Sequence, residues 1–367
     1  MKRLWPPSPH AWKIAVLVAL VVTSKLFIIP ERFSVKPAQT VDQRNATTDH
    51  QMVQTDQLVL KDRLTALRSA CRATSEARRP ADTLDYLLDH RFLRRKLIYN
   101  DTYKLIFCAI PKISSTRWKH LLGTLSGQIP PNKTLDELKM MDVNVHGGRV
   151  HHFLSELPAS EARRRLETYT SAVFVRHPLE RLVSAFREKY KAENWRRPFI
   201  FRTAVQILAH EQNRSTEQVA EEGLPPQVTF EQFARWVADA PPFDPDVSYP
   251  PDALNIHWLP MHHQCHPCLL PYSLLGKFET MHEDAELLFK MTNITTVSLP
   301  KRTKPSSTAS ITGDFVKSLT PETLRRVIKH FLLDFVLFGY RPESVLSGDD
   351  ELRDSVAKTF KGLVDEL

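Results

Sequence analysis

Two short apolar runs, each closed by a proline turn and each followed by a helical pattern, do most to limit what this 367-residue chain can fold into. The first, Leu105 to Ile110, is rich in β-formers and stops at Pro111, which has no N–H to give a sheet. Beyond it, Ser114, Ser115 and Thr116 are helix-capping types, and Trp118, Leu121, Leu122 and Leu125 recur at helical spacing. The second run, Ala172 to Val175, meets a turn at His177-Pro178 and then Leu179, Leu182, Val183 and Phe186 on one helical face. Two strand–loop–helix units predict an α/β fold, a central parallel sheet flanked by helices, with ligands held at the strand ends.

A loop of this kind aims backbone N–H groups and a helix dipole at one spot, and Lys112 adds a full charge there. The site suits a phosphate or a sulfate. The pattern G-x-x-x-x-G-K-[ST] is absent and no glycine occurs in the loop, which argues against an ordinary ATP or GTP site. In the second unit Arg176 sits at the strand end and Ser184 about two helical turns on, so both reach one anion if the helix lies along it.

These residues carry a family resemblance. Pro111-Lys-Ile-Ser-Ser-Thr-Arg-Trp-Lys119 resembles the 5′-phosphosulfate loop of the Golgi carbohydrate sulfotransferases acting on chondroitin, dermatan and related glycans, the group that includes the HNK-1 sulfotransferase. Arg176-His-Pro-Leu-Glu-Arg-Leu-Val-Ser184 resembles that family's 3′-phosphate loop, and the likeness continues through Asn255-Ile-His-Trp258, Cys265-His-Pro-Cys268, Gly276-Lys-Phe-Glu279 with Glu283-Asp284, and Asp334 to Tyr340. It covers roughly the last two thirds of the chain, in order.

The resemblance implies a P-loop-like sulfotransferase fold and transfer of sulfate from 3′-phosphoadenosine 5′-phosphosulfate to a glycan hydroxyl without a metal. The expected acceptor is the 4-hydroxyl of GalNAc in chondroitin or dermatan chains, with terminal glucuronate as the alternative. Pro111, Lys112, Ile113, Ser114, Ser115, Thr116 and Arg117 are then the 5′ donor loop. Arg176, His177, Pro178, Leu179, Glu180, Arg181, Leu182, Val183 and Ser184 are the 3′ one. Lys112 would stabilise charge on the leaving phosphate, the Ser114–Thr116 hydroxyls would grip the 5′-phosphate, and Arg176 with Ser184 the 3′-phosphate. Arg181 reads equally as a salt-bridge partner within its helix. Ser115 and Arg117 depart from the family, where cysteine or asparagine, and asparagine or glutamine, are common.

A base for the acceptor hydroxyl is sought in Val145-His-Gly-Gly-Arg-Val-His-His-Phe153. His146 comes first, at the position of a Val-His pair in the resembling enzymes, with His152 and His151 next; His257 is open to a structural role, packed beside Trp258. Two other classes stay open: a lumenal glycan-binding protein that kept the fold without turnover, and a nucleotide kinase. The missing glycines and the apparent secretory start count against the kinase.

A net charge of +8 calls for an anionic partner, and no nucleic-acid motif appears. Apolar residues from Ile14, interrupted at Lys25, leave a cleavable signal and a signal anchor both open, and the resemblance to a type II family implies the uncleaved anchor, over 14–29 behind a cytoplasmic tail at 1–13. A polar lumenal stem is expected over 30–90, with a helix from Leu58 to Ala77, then a catalytic domain over 91–345 and a tail over 346–367, appended helix or loose end. A Golgi, single-pass type II location follows from the resemblance.

Sequons at Asn45, Asn100, Asn132, Asn213 and Asn293 and an even set of cysteines, Cys71, Cys108, Cys265 and Cys268, agree with an oxidising lumen. Cys265-His-Pro-Cys268 is a redox or zinc spacing elsewhere, but with no second cysteine pair for zinc its expected role is structural. Elsewhere helices are predicted over Phe230 to Val237, over Met281 to Met291 and from Pro321 through to Phe338, with a strand from Leu274 to Phe278.

Overall fold

The computed structural model describes residues 46–74, 84–140, 150–190, 194, 197–222, 227–244, 251–299 and 307–367. The expected membrane segment at 14–29, the sequon at Asn45 and His146 lie outside them. Among the described residues no helix is long and apolar enough to cross a membrane.

The first helix, α1 (Ala46–Ala73), begins well before the expected start at Leu58. Its Leu67 and Cys71 are buried, and Arg63 donates to both carboxylate oxygens of Asp284 at 2.9 and 2.8 Å and to Thr280 Oγ1 at 3.0 Å. The later part of the presumed stem is therefore packed on the body.

β1 (Leu97–Asn100) turns directly into β2 (Leu105–Cys108), whose four residues are all buried. The turn is set by Asn100, whose side chain accepts from the Tyr103 N–H at 3.0 Å. So short a link can only reverse the chain, and β1 pairs antiparallel with β2, Leu97 opposite Cys108.

β2 feeds α2 (Ser115–Leu125), after which β3 (His152–Phe153) adds antiparallel to the far side of β1. β4 (Thr170–Val175) leads into α3 (Pro178–Lys189); α4 (Phe230–Ala238) and the short α5 (Met261–Cys265) precede β5 (Leu274–Lys277). The strand order is β3-β1-β2-β4-β5, with β2, β4 and β5 parallel. The expected parallel sheet is thus its central and far portion, and the hairpin makes the whole sheet mixed.

Trp118 of α2 lies against Phe107 and Phe174, ring centroids 4.6 and 4.7 Å away. Gly276 on β5 makes room for this packing, since a Cβ there would stand 2.4 Å from the Phe174 ring. α6 (Met281–Met291) adds Phe289 to the same aromatic cluster.

The helix expected from Pro321 through Phe338 is two, α7 (Pro321–His330) and α8 (Leu332–Phe338), broken where Phe331 leaves helical geometry. The break lets the fully buried Asp334 on α8 turn its carboxylate onto the start of α5, accepting from the N–H of Met261 at 2.7 Å and of His262 at 2.9 Å. These are helix-end donors with no partner of their own. The acidic tail forms α9 (Asp350–Asp365), packed through Val356, Phe360 and Leu363.

Disulfides join Cys71 to Cys268 and Cys108 to Cys265. The two cysteines of the C-x-x-C spacing therefore bond outward, one to α1 and one to the end of β2, and the structural expectation holds. The second bond fixes the loop that follows β2 against α5.

Candidate active site

The loop after β2 is built under tension. Ala109 continues the pairing with one bond to the Lys96 carbonyl at 3.1 Å, and Pro111 then ends it. Lys112 and Ser114 both adopt left-handed backbone, φ 73° and 53°, with Ile113 buried between them. Non-glycine residues hold such angles at a cost of roughly 1–3 kcal/mol each, only where the surroundings impose them. The resulting curl leads into the N-terminus of α2, whose first N–H groups have no helical acceptor. Among the described residues, the half-buried hydroxyls of Ser114, Ser115 and Thr116 have no protein partner. Arg117, on the same first turn, is also half-buried.

Helix α3 closes this concavity with one face. Glu180, Ser184 and Glu188 stand four residues apart and so share a stripe, the least buried on the helix. Glu180 accepts from Arg176 Nη2 at 3.0 Å and Nε at 3.1 Å, while Glu188 is paired with Lys112. Arg176 also donates to the Lys112 carbonyl at 3.3 Å and lies over the Phe278 ring, 4.1 Å from its centroid. The two loops expected from sequence are thus in direct contact. Ser184 stands between the two acid–base pairs, its hydroxyl without a protein partner among the described residues.

Burial lowers the Lys112 pKa, and Glu188 opposes that shift. Burial alone would raise the Glu188 carboxyl, but Lys112 and Lys189 hold it at about 2.

Several residues of the expected 3′ loop serve the scaffold. Pro178 opens α3 at its first turn, and Leu179, Leu182 and Val183 point into the core. His177 is buried, shares its Nε2 with the Arg341 carbonyl at 3.0 Å, and is pushed down to about 4 by that burial. Arg181 is not a salt-bridge partner within its helix. Fully buried, it donates to three carbonyls, Pro111 at 3.1 Å, Leu259 at 2.9 Å and Ile256 at 2.9 Å, and so ties the donor loop to the turn that carries His257.

The histidines divide by place. His152 is exposed on β3, opposite Tyr99, which in turn faces Ile106, so it lies two strands, about 10 Å, to the side of β2 and level with its middle. His151 is buried near Phe153. The structure brings neither to Lys112. His257, open on sequence to a structural role, is the histidine within electrostatic reach of Lys112, Glu188, Lys189 and Arg181, and burial, reinforced by the cations, pushes it to about 3. Its signal in the sequence was the Asn255-Ile-His-Trp258 motif; nothing in the local spacing ranks it above the other histidines.

A second group of cations, Lys96 and Lys119 with Arg95, was not singled out from sequence. Burial depresses Lys96 to about 7, with Lys119 and Arg95 adding to it, and Lys119 to about 8. Among the described residues no carboxylate pairs with either lysine.

Two loops thus meet at adjacent parallel strand ends, with Lys112 and Arg176 where a nucleotide-binding loop would carry glycine-rich backbone. The profile described as "Sulfotransferase family" matches residues 95–341, which span both loops, and the chain belongs to that family. It is a 3′-phosphoadenosine 5′-phosphosulfate-dependent O-sulfotransferase. Similar proteins include carbohydrate sulfotransferase 11 of Rattus norvegicus, 28% identical over 70% of each chain. Carbohydrate sulfotransferase 10 of Gallus gallus is 30% identical over 79% of this chain and 78% of its own, and carbohydrate sulfotransferase 14 of Homo sapiens 30% over 75% and 67%. No solved structure matches.

Proposed function

We propose that the chain is a Golgi-lumenal carbohydrate sulfotransferase that sulfates the 4-hydroxyl of GalNAc in chondroitin- or dermatan-type chains. The observation that carries the donor half is the meeting of the two loops, with Arg176 on the Lys112 carbonyl and Ser184 between their carboxylate pairs. In this reading Ser114, Ser115, Thr116 and the N-terminus of α2 hold the 5′-phosphate. Arg176 and Ser184 hold the 3′-phosphate, and Lys112 meets the bridging oxygen as it leaves. A histidine takes the hydroxyl proton, a role the sequence assigns to His146 and then to His152.

Glu188 competes with the donor for Lys112. Glu188→Gln removes that competitor, and binding of adenosine 3′,5′-bisphosphate, followed by calorimetry, is expected to tighten about two- to fivefold, the scale of an exposed ion pair. Unchanged or weaker binding would place Lys112 away from the nucleotide.

The acceptor half rests on charge and family. The relatives are named for carbohydrate, the chain carries a net charge of +8, and Lys96, Lys119 and Arg95 are half-buried cations, the two lysines without a carboxylate partner among the described residues. The double variant Lys96→Met, Lys119→Met should raise the acceptor KM roughly tenfold at low salt, with little change at high salt, and leave the donor KM within about twofold. A donor KM that rises with it would move these lysines to the nucleotide.

The lumenal setting is supported by both disulfides and by the exposure of the sequons Asn132, Asn213 and Asn293. Asn100 is buried and so unsuited to a glycan. The segment 14–29 would be the type II anchor.

The test is transfer of labelled sulfate by the full chain, made in a secretory host, to desulfated chondroitin, desulfated dermatan and terminal-glucuronate glycans. Label on GalNAc O4 is the expected product. Label on glucuronate alone would replace the acceptor assignment, and nucleotide binding without any product would favour a glycan-binding protein.

A further inference from the structure

We propose that His257 is the proton acceptor for the glycan hydroxyl, in the place the sequence gives to His146. The inference rests on the sulfotransferase reading and refines it. Position comes first. Arg181 joins Pro111, the residue before Lys112, to Ile256 and Leu259, which bracket His257. The turn itself is stiff: Asn255 Oδ1 accepts from the His257 N–H at 3.1 Å, and the Asn255 carbonyl accepts from Trp258 and Leu259 at 2.9 and 2.7 Å. The buried Trp258 indole donates to the Asp252 and Ala253 carbonyls at 3.2 and 3.0 Å. His257 is therefore carried by a fixed platform bolted to the donor loop, not by a free loop tip.

The state of the ring follows from its surroundings. Its Nδ1 is buried and has no partner, while Nε2 is neither buried nor bonded within the described residues. In the tautomer that carries its proton on Nδ1, the Nε2 lone pair is free on the accessible side of a ring that lies within electrostatic reach of Lys112 and Glu188. Desolvation, then Lys189, Lys112 and Arg181, disfavour the imidazolium, and Glu188 opposes them only in part, so the ring stays neutral at and below pH 7. A weak base is enough here. As in other loose group transfers, the incoming hydroxyl becomes acidic only as its oxygen bonds to the transferred centre.

The step balances as follows. An oxygen lone pair of the acceptor hydroxyl forms the new O–S bond, and its proton passes to His257 Nε2. The bond from sulfur to the bridging oxygen breaks with its electron pair remaining on the 5′-phosphate of the departing 3′,5′-bisphosphate, where Lys112 stabilises it. The other candidates do not share this placement: His152 sits on the edge strand β3, two strands from β2, His151 precedes it on the same edge, and His146 lies outside the described residues.

The test compares full-chain His257→Gln, His257→Ala and His146→Gln by steady-state transfer, bisphosphate binding and thermal melting. Both His257 variants should lose about 10²- to 10⁴-fold in kcat with acceptor KM and bisphosphate Kd within about threefold, and added imidazole should restore His257→Ala at least about tenfold. His146→Gln should lose less kcat than either His257 variant and should gain nothing from imidazole, and the reverse order overturns the proposal. The proposal is overturned if His257→Gln transfers at the wild-type rate. It is equally overturned if its loss follows weaker nucleotide binding or a lower melting temperature with no rescue by imidazole. A wild-type chain that binds bisphosphate yet sulfates no acceptor overturns the transfer reading itself and this inference with it.

Discussion

Lys112→Ala is expected to lower kcat by about 10²- to 10³-fold at saturating donor while leaving the fold intact, the range found when one group stabilising developing charge is removed. The ammonium sits at the mouth of the donor loop, its side chain 8% exposed and its only carboxylate partner, among the described residues, the largely solvent-facing Glu188. Such a pair contributes at most about 1 kcal/mol to stability, so the melting temperature should move little. The backbone control is built in, because alanine at φ 73° carries the same left-handed strain as lysine. Donor KM should rise less than kcat falls, since the leaving phosphate gains its extra charge only in the transition state. Rapid-quench measurement of one turnover separates the two. A variant with intact single-turnover rate and a raised donor KM would make Lys112 a binding lysine only.

What the sequence made legible was what local pattern encodes. Each parallel strand was marked by an apolar run and a proline or a charged stop, and each loop by capping residues before a helical stripe, so β2, β4 and β5 and the helices after the first two were readable in order. The hairpin was not. Leu97-Ile-Tyr-Asn100 is short and flanked by arginines and a lysine, so its strand character comes from pairing with β2 and not from its own periodicity. The break at Phe331 escaped for a similar reason: an aromatic spacing that continues across two helices looks like one, and the Asp334 contacts with the start of α5 that accompany the break are tertiary.

Lys112, Arg176 and Ser184 were expected together because a charge just past a strand end and a hydroxyl on the following helix are local signals, and the structure brings their two loops into contact. The acid stripe of α3 was half legible, since Glu180 and Glu188 lie at helical spacing, but which cations they hold depends on a second loop many residues away. His257 and the cysteine pairing were not legible, because their partners are set by tertiary contacts that no spacing encodes.

The second large effect is structural in origin and catalytic in consequence. Arg181→Met should destabilise the protein by about 2–4 kcal/mol and also reduce transfer by more than the fraction unfolded accounts for. Its guanidinium is 1% exposed and satisfies three buried carbonyls, from Pro111, Ile256 and Leu259. Methionine fills a similar volume but leaves those acceptors unmet, each unmet group costing about 1–3 kcal/mol. Removing a buried charge returns part of that cost, because burial already strains it, lowering its pKa to about 10. The net is therefore smaller than three bonds' worth. Arg181→Lys tests the geometry: one ammonium cannot span three carbonyls on two segments, so it should recover some stability but less of the rate. Urea unfolding should show a lower midpoint with an unchanged slope, and kcat measured well below the transition should still fall, since the strained loop around Lys112 and the turn around His257 lose their common tie. Wild-type stability and rate in Arg181→Met would mean that the disulfide from Cys108 to Cys265 and the Asp334 cap hold that turn without it.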